Sequence, residues 1–465
     1  MSRTGVFVFG LVAFALCCAP AKQAGAGEEA RRGRAAEFSR SLLDGEHERI
    51  QGMLSAEMRV ALAPAKAKEL RARLVARQGD VQEVGRAWKE DVLQGFHRYR
   101  VPVRFTGGTL DFRVVLDRRD RVAGLWLVPH LEPPEEAGAA GAAGREIEVT
   151  VGGAGRGLPG TLTLPSGGGP FAAVVLVHGS GPNDRDESIG PNKPFRDLAW
   201  GLVEHGIAVL RYDKRSFARP GDLAEAGDQL TVRQEIIADA RAALELLRSR
   251  EEIDSARLYV LGHSLGGTVA PRIAAIEPRP AGLIVMAGST LPMPEKMLAQ
   301  TRYVVSLDGA VSAEEQQQLE QVDSAVRSIR AALNGTGPSP EGYLLGAPLA
   351  YYKDLEMHDP PAEAARLGIP VLVLQGKRDY QVTLEDFALW QVALSDTSGA
   401  CLVLYDELDH LFRAGQGPSG PDGYTRWAPV ESEVIGDIAD WLRLGRCPGR
   451  LPARSDEGLL DRGGP

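Results

Sequence analysis

Five short runs of uninterrupted apolar residues constrain this chain more than any other feature: Ala172 to Val177, Ile207 to Leu210, Leu258 to Leu261, Leu283 to Met286 and Val371 to Leu374. A strand that is apolar at every position has no face to offer water, so it must be covered on both sides. Between the runs lie segments with apolar residues three and four apart, such as Ile236, Ile237, Ala240, Leu244 and Leu247, the spacing of a helix with one buried stripe. Strands of this kind alternating with such helices predict an α/β architecture: a mostly parallel sheet flanked by helices. An antiparallel pair is expected just ahead of it, near Ile147 to Leu164.

The 465 residues exceed what one core usually covers, which predicts two folded units plus tails. Arg3, the apolar run Val6 to Leu16 and the small residues Ala19-Pro20-Ala21 read as a signal peptide at 1–22, so the chain is expected to be exported, to the periplasm or beyond. That run is shorter than the ~20 residues a bilayer-spanning helix needs, so no stable membrane span is expected. Cys17 or Cys18 offers the alternative of lipid attachment. Residues 23–35, small and charged, are expected to be a flexible leader. A small α+β unit follows at 36–131: a helical pattern from Phe38, Leu42 and Leu43, then alternating strands through Val101, Val103 and Phe105, through Leu110 to Leu116, and at Ala123 to Val128. The Pro/Glu and Ala/Gly-rich stretch 132–144 is a linker, 145–448 the catalytic unit and 449–465 a loose tail. Cys401 and Cys447 are free to pair in an oxidising compartment, and two free thiols are the equal alternative.

Within the second unit, residues 291–368 separate two sheet strands by far more than an ordinary connection. The insertion is expected to be mostly helical, with Ala313 to Leu333 the clearest helix, and to form a cap. Met293, Met297, Tyr351 and Tyr352 are its candidate substrate-lining residues, together with Tyr303, Leu344 and Leu345.

Gly262-His263-Ser264-Leu265-Gly266 joins the apolar run Leu258 to Leu261 to a helix carrying Val269, Ile273 and Ala274. A serine on a sharp strand-to-helix turn has glycine neighbours because a Cβ would clash there, and the turn lifts its hydroxyl clear of the sheet. Serine needs a base to activate it and an acid to hold the base, in the chain order serine, acid, histidine. Asp379 follows the run Val371 to Leu374, and His410 follows the strand Leu402 to Tyr405. Asp406, Glu407 and Asp409 compete with Asp379 as the acid. His178, His205, His263 and His358 compete with His410 and are given structural roles. His178-Gly179-Ser180-Gly181 leaves the strand Ala172 to Val177, where a backbone N–H for a developing oxyanion belongs. Ser180 and Leu265 are the predicted N–H donors, with Gly179 or Gly181 the one-residue alternatives to Ser180. The charged runs Asp184 to Glu187 and Arg211 to Arg215 are expected to pair with each other and fix this loop, while Lys193 and Arg196 receive no role.

These motifs, His178 to Glu187, Arg211 to Ser216, Gly262 to Gly267 and Asp379 with His410, resemble a bacterial group of α/β-hydrolases in which an N-terminal domain named DUF3887 is fused to the hydrolase. Arg104-Phe105 and Val122 to Leu127 resemble that N-terminal domain. The resemblance implies the α/β-hydrolase fold and a carboxylesterase with Ser264, Asp379 and His410 as its triad.

The predicted partner is a small-molecule acyl ester, with oligomeric state left open. Peptidase or acylaminoacyl hydrolase activity is the alternative, and a non-enzymatic binding module the second, disfavoured because all three triad residues are present. Acidic residues outnumber basic ones, 62 to 53, for a net charge of −9, which argues against nucleic acid as a partner. No metal-ligand spacing and no phosphate-binding glycine loop is found, so no cofactor and no metal are expected.

Overall fold

The computed structural model describes residues 27–93, 96–131, 144–153, 155–445 and 447–448. The predicted signal peptide with Cys17 and Cys18, residues 132–143 of the linker and the tail 449–465 lie outside the described residues. The chain divides into two compact units, residues 1–135 and 136–465.

The first unit opens with helices Glu28–Asp44, His47–Gln51, Ala56–Ala61 and Pro64–Gln78. The expected flexible leader is therefore helical from Glu28 onward. Glu28 and Glu29 place negative charge at the positive end of the helix, Arg31 pairs with Asp120 at 2.5 Å, and Ala35 is fully buried beside Phe38 and Leu42. Five antiparallel strands follow: β1 (Val81–Val84), β2 (Trp88–Leu93), β3 (Phe96–Phe105), β4 (Gly108–Leu116) and β5 (Val122–Pro129), in the order β1-β3-β4-β5 with β2 also on β3. The sequence pattern revealed only three of them. Gln82, Glu83, Lys89 and Glu90 interrupt the alternation that would have exposed β1 and β2.

The second unit is an eight-stranded mixed sheet with helices packed on both faces. Its strands are β6 (Gly144–Val151), β7 (Leu158–Pro165), β8 (Phe171–Val177), β9 (Ala208–Tyr212), β10 (Ile253–His263) and β11 (Gly282–Met286), followed by a short hairpin of β12 (Tyr343–Leu344) and β13 (Ala347–Pro348), then β14 (Val371–Gly376) and β15 (Ala400–Tyr405). The order is β15-β14-β11-β10-β8-β9-β7-β6. Pairing is parallel from β15 to β9, whereas β7 and β6 join antiparallel. Along β8, Ala173, Val175 and Val177 enter one apolar cluster while Val174 and Leu176 enter the other, and all five are fully buried. Burying each valine or leucine side chain contributes about 1.5–3 kcal/mol, so strands of this composition are stable only between two helical layers.

The insertion between β11 and β14 carries helices Met293–Ser306, Ala313–Leu333, Leu349–Glu356 and Pro360–Arg366 besides the hairpin. Ser312 begins the long helix with a capping box to Glu315. The two sulfurs of Cys401, on β15, and Cys447, after the last helix Ser432–Leu444, are bonded at 2.02 Å. No helix among the described residues is long and apolar enough to cross a membrane.

Candidate active site

Ser264 stands at the end of β10 with φ 54° and ψ −120°, a conformation that side chains other than glycine rarely adopt. Its N–H donates to the carbonyl of Met286 at 2.9 Å, which ties the turn to β11. The two glycines of the motif are sterically required. A Cβ on Gly262 would lie 2.2 Å from the carbonyl oxygen of Gly266, and one on Gly266 would lie 2.1 Å from that of Val177. Leu265 begins the helix Leu265–Ala274, so its N–H belongs to the first turn, where amides have no partner inside the helix.

His410 and Asp379 come from different loops at the carboxyl ends of β15 and β14. His410 Nδ1 and Asp379 Oδ2 are 2.7 Å apart, and both side chains are buried. The other carboxylate oxygen accepts the N–H groups of Gln381 at 2.8 Å and Val382 at 3.0 Å, and the Gln375 amide approaches Oδ2 at 3.2 Å. Asp379 is thus held on both oxygens, leaving the opposite imidazole nitrogen of His410 for proton transfer.

Two of the three rival acids, Asp406 and Asp409, are engaged elsewhere. Asp409 closes onto Arg413 at 2.7 and 3.1 Å and accepts the N–H groups of Leu411 and Arg413. Asp406 is mostly exposed and pairs with Lys377 at 2.7 Å. Among the rival histidines, His358 pairs with Glu363 at 2.6 Å and His178 reaches the carbonyl of Asp184 at 3.1 Å. Burial lowers the His178 imidazole to about 4.

Ser180 follows β8 on the loop facing the elbow. A Cβ built on Gly179 would lie 3.1 Å from that of Ser264, which measures how closely the loop approaches the elbow serine. The N–H of Gly179 donates to Glu187 at 2.6 Å, which removes Gly179 as an oxyanion donor and leaves Ser180 or Gly181. Beneath the loop, the buried Lys214 donates to the carbonyls of Gly179 at 2.8 Å and Gly181 at 3.0 Å and pairs with Glu235 at 3.2 Å. Burial lowers its pKa, with Glu235 offsetting part of that shift.

The two charged runs pair with each other only in part. Arg185 binds Asp213 at 3.0 Å and Arg211 binds Asp186, as expected. Glu187, however, turns to His263 at 2.8 Å, Lys214 to Glu235, and Arg215 to Asp222 and Asp239. Lys193 joins Asp186 at 3.0 Å, and Arg196 lies 4.7 Å over the Trp200 ring.

The substrate-lining expectation needs correction at two positions. Tyr351 is 4% exposed, with its hydroxyl 2.6 Å from Glu235, and Tyr352 is fully buried, with its hydroxyl donating to the carbonyls of Leu344 or Leu345. Both belong to the apolar cluster that contains β10 and β11, so they are core of the insertion and not its wall. Met293 and Met297 are half-buried. Sequence reasoning also missed Asp386, whose carboxylate gathers the root of the insertion: Thr290 N–H at 2.8 Å, Leu291 N–H at 3.2 Å, the Ser289 hydroxyl at 3.1 Å and the Lys296 ammonium. Only the capping pattern Thr383 to Asp386 signals that residue in sequence. Among the described residues no cluster of His, Cys, Asp and Glu could hold a metal ion.

Residues 174–441 match a family model described as the alpha/beta hydrolase family. The chain is 36% identical over 415 residues to Esterase EstD of Thermotoga maritima, a match covering 87% of this chain and 93% of that protein. Among solved structures it is similar to Est1E from Butyrivibrio proteoclasticus, with 16% identity, TM-score 0.42, and coverage of 63% of this chain and 98% of that one. It is also similar to the Pyrococcus furiosus esterase Pf2001, with 16% identity, TM-score 0.40, and coverage of 68% and 96%.

Proposed function

The chain belongs to the alpha/beta hydrolase family, and from that premise we propose that it is a carboxylesterase-type serine hydrolase acting on small-molecule acyl esters. The observation that carries the reading is the buried 2.7 Å contact of His410 with Asp379, together with a serine held at φ 54° on a glycine-flanked elbow. In this mechanism His410 takes the Ser264 proton as the oxygen attacks the ester carbonyl. Asp379 fixes the imidazole and stabilises its charged form. The N–H groups of Leu265 and of Ser180 or Gly181 receive the negative charge that develops on the carbonyl oxygen. Collapse expels the alcohol, protonated by His410, and leaves an acyl group on Ser264. Water, deprotonated by the same imidazole, then releases the acid and restores the serine.

The test is a panel of chromogenic esters of rising acyl length with purified protein and Ser264→Ala. Hydrolysis by the wild type and its loss in the folded variant are expected. A folded variant with wild-type turnover, or matched amides cleaved faster than esters, overturns the reading.

We read residues 36–131 as a DUF3887-like domain on the resemblance of Arg104-Phe105 and Val122 to Leu127, and residues 1–22 as an export signal. The bonded pair Cys401–Cys447 supports export, because such bonds persist in oxidising compartments.

A further inference from the structure

Four loops carry the proposed catalytic groups, and one buried pair touches three of them: the oxyanion loop, the nucleophile elbow and the loop of His410. Glu187 is 2% exposed and His263 4% exposed. Glu187 Oε1 accepts the Gly179 N–H at 2.6 Å, on the oxyanion loop, and Oε2 lies 2.8 Å from His263 Nδ1. His263 immediately precedes Ser264 on the elbow, and its Nε2 lies 2.9 Å from the backbone carbonyl of His410. Both ring nitrogens therefore face groups that only accept, a carboxylate and a carbonyl, so both must carry protons. The His263 and His410 rings lie 4.7 Å apart at 44°. Glu187 reaches this place at φ 51°, a left-handed conformation that persists where the surroundings over-determine it.

We propose that Glu187 and His263 are positioning residues that bind the backbone of His410 and the oxyanion loop to the nucleophile elbow, acting on the chemical step through geometry without touching substrate. The inference rests on the serine-esterase reading. The pair is a strut: removing it leaves Ser264, Asp379 and His410 in the chain but releases the carbonyl of His410 and the amide of Gly179. Misplacement of reacting groups by 1 Å can cost about 10²-fold in rate.

The two halves of the strut can be cut separately. The amide of an asparagine stands near the position of Nδ1 and that of a glutamine near Nε2. His263→Asn therefore keeps the Glu187 contact and loses the His410 contact, while His263→Gln does the reverse. Steady-state kinetics on a short chromogenic ester should show His263→Asn with kcat lowered about 10²-fold and KM changed less than threefold, and His263→Gln with a smaller fall in kcat. Glu187→Gln, which still accepts from Gly179, should recover most of the kcat lost in Glu187→Ala. Wild-type kcat in a folded His263→Asn variant, or a loss confined to KM, overturns the proposal. A second measurement needs no variant: nitrogen-15 spectra of histidine-labelled wild-type protein should contain one imidazole with two slowly exchanging N–H protons at neutral pH. Its absence also overturns the proposal. A wild-type protein that hydrolyses no ester while showing that imidazole would instead remove the esterase reading.

Discussion

Asp409 stands next to His410 in the chain, yet its carboxylate closes on Arg413, 2.7 Å from Nη2. Asp379, 31 positions away, is the one that meets the imidazole at 2.7 Å. Asp379→Asn should therefore lower kcat by about 10³- to 10⁴-fold with KM nearly unchanged, since it removes the charge that orients and stabilises the base. Asp409→Asn should instead destabilise the fold by about 3 kcal/mol, because it removes the carboxylate that neutralises the buried Arg413 cation. Denaturation midpoints and turnover per folded molecule separate the two. The reverse pattern would make Asp409 the acid.

His178 gives stability a pH dependence with a definite sign. Burial lowers its pKa from 6.5 to about 4, so the fold prefers the neutral ring. The stability this contributes is present above pH 6.5 and is lost as pH falls from there towards 4. The difference reaches about 2 kcal/mol between pH 7.5 and 5. The ring packs against Phe195 and Tyr212 and feels the charges of Glu187, Lys214 and His263. His263 has the opposite sign: burial lowers its pKa and the Glu187 carboxylate more than offsets that, so its contribution disappears as pH rises through its raised value. Urea midpoints of wild type and His178→Gln at pH 7.5 and 5 test the assignment. Equal losses in both proteins would place the acid sensitivity elsewhere.

What could be read in the sequence divides along a physical line. The parallel sheet was legible because β8, β9, β10, β11 and β14 each contain an unbroken apolar run of at least three residues, and burial on both faces is the arrangement such runs demand. The elbow was legible because Gly262 and Gly266 answer a local steric demand visible at fixed spacing. The first two strands of the small sheet were not, since their polar residues carry no period. Nor was the Glu187–His263 pair, whose members lie 76 positions apart and whose contact depends on a turn at positive φ. Charge in the runs Asp184–Glu187 and Arg211–Arg215 predicted that they would pair with each other, which only Arg185 with Asp213 and Arg211 with Asp186 do. Lys214 and Glu187 find partners outside the runs because burial, not proximity in the chain, decides which ions need neutralising.

The bond between Cys401 and Cys447 closes a loop of 46 residues and anchors the final helix to the edge strand β15. Cys447→Ser should lower unfolding stability by about 2–4 kcal/mol and leave kcat of the folded enzyme unchanged. Mass spectrometry of unreduced and reduced wild-type protein supplies the control. Equal stability of wild type and variant would show that the bond constrains nothing.

Tyr351 now reads as a structural residue. Tyr351→Phe removes one buried hydroxyl from Glu235, which keeps Lys214 as its partner, and should cost about 1 kcal/mol without altering the preference among acyl chains. A changed chain-length profile at unchanged stability would return Tyr351 to the substrate wall.

The last prediction concerns Met297, on the first helix of the insertion. Deleting residues 291–368 is a poor test of a cap, because Ile329, Tyr351 and Tyr352 are buried in the same cluster as β10 and β11, and Lys296 neutralises the buried Asp386. Such a deletion should unfold the unit and leave chain-length preference unmeasured. A single enlargement is cleaner. Met297 is half-buried one residue after Lys296, on a segment that leaves β11 at the end of the sheet where Ser264 stands. Active sites of open α/β sheets lie at that end. If the side chain borders the acyl path, Met297→Trp should narrow it. The ratio of kcat/KM for hexanoate over acetate esters should then fall by about tenfold, while acetate turnover stays within a factor of about three. A lower ratio with an unchanged melting temperature assigns the insertion to selectivity. An unchanged ratio in a folded, active variant places Met297 outside the acyl path and leaves this helix a packing element.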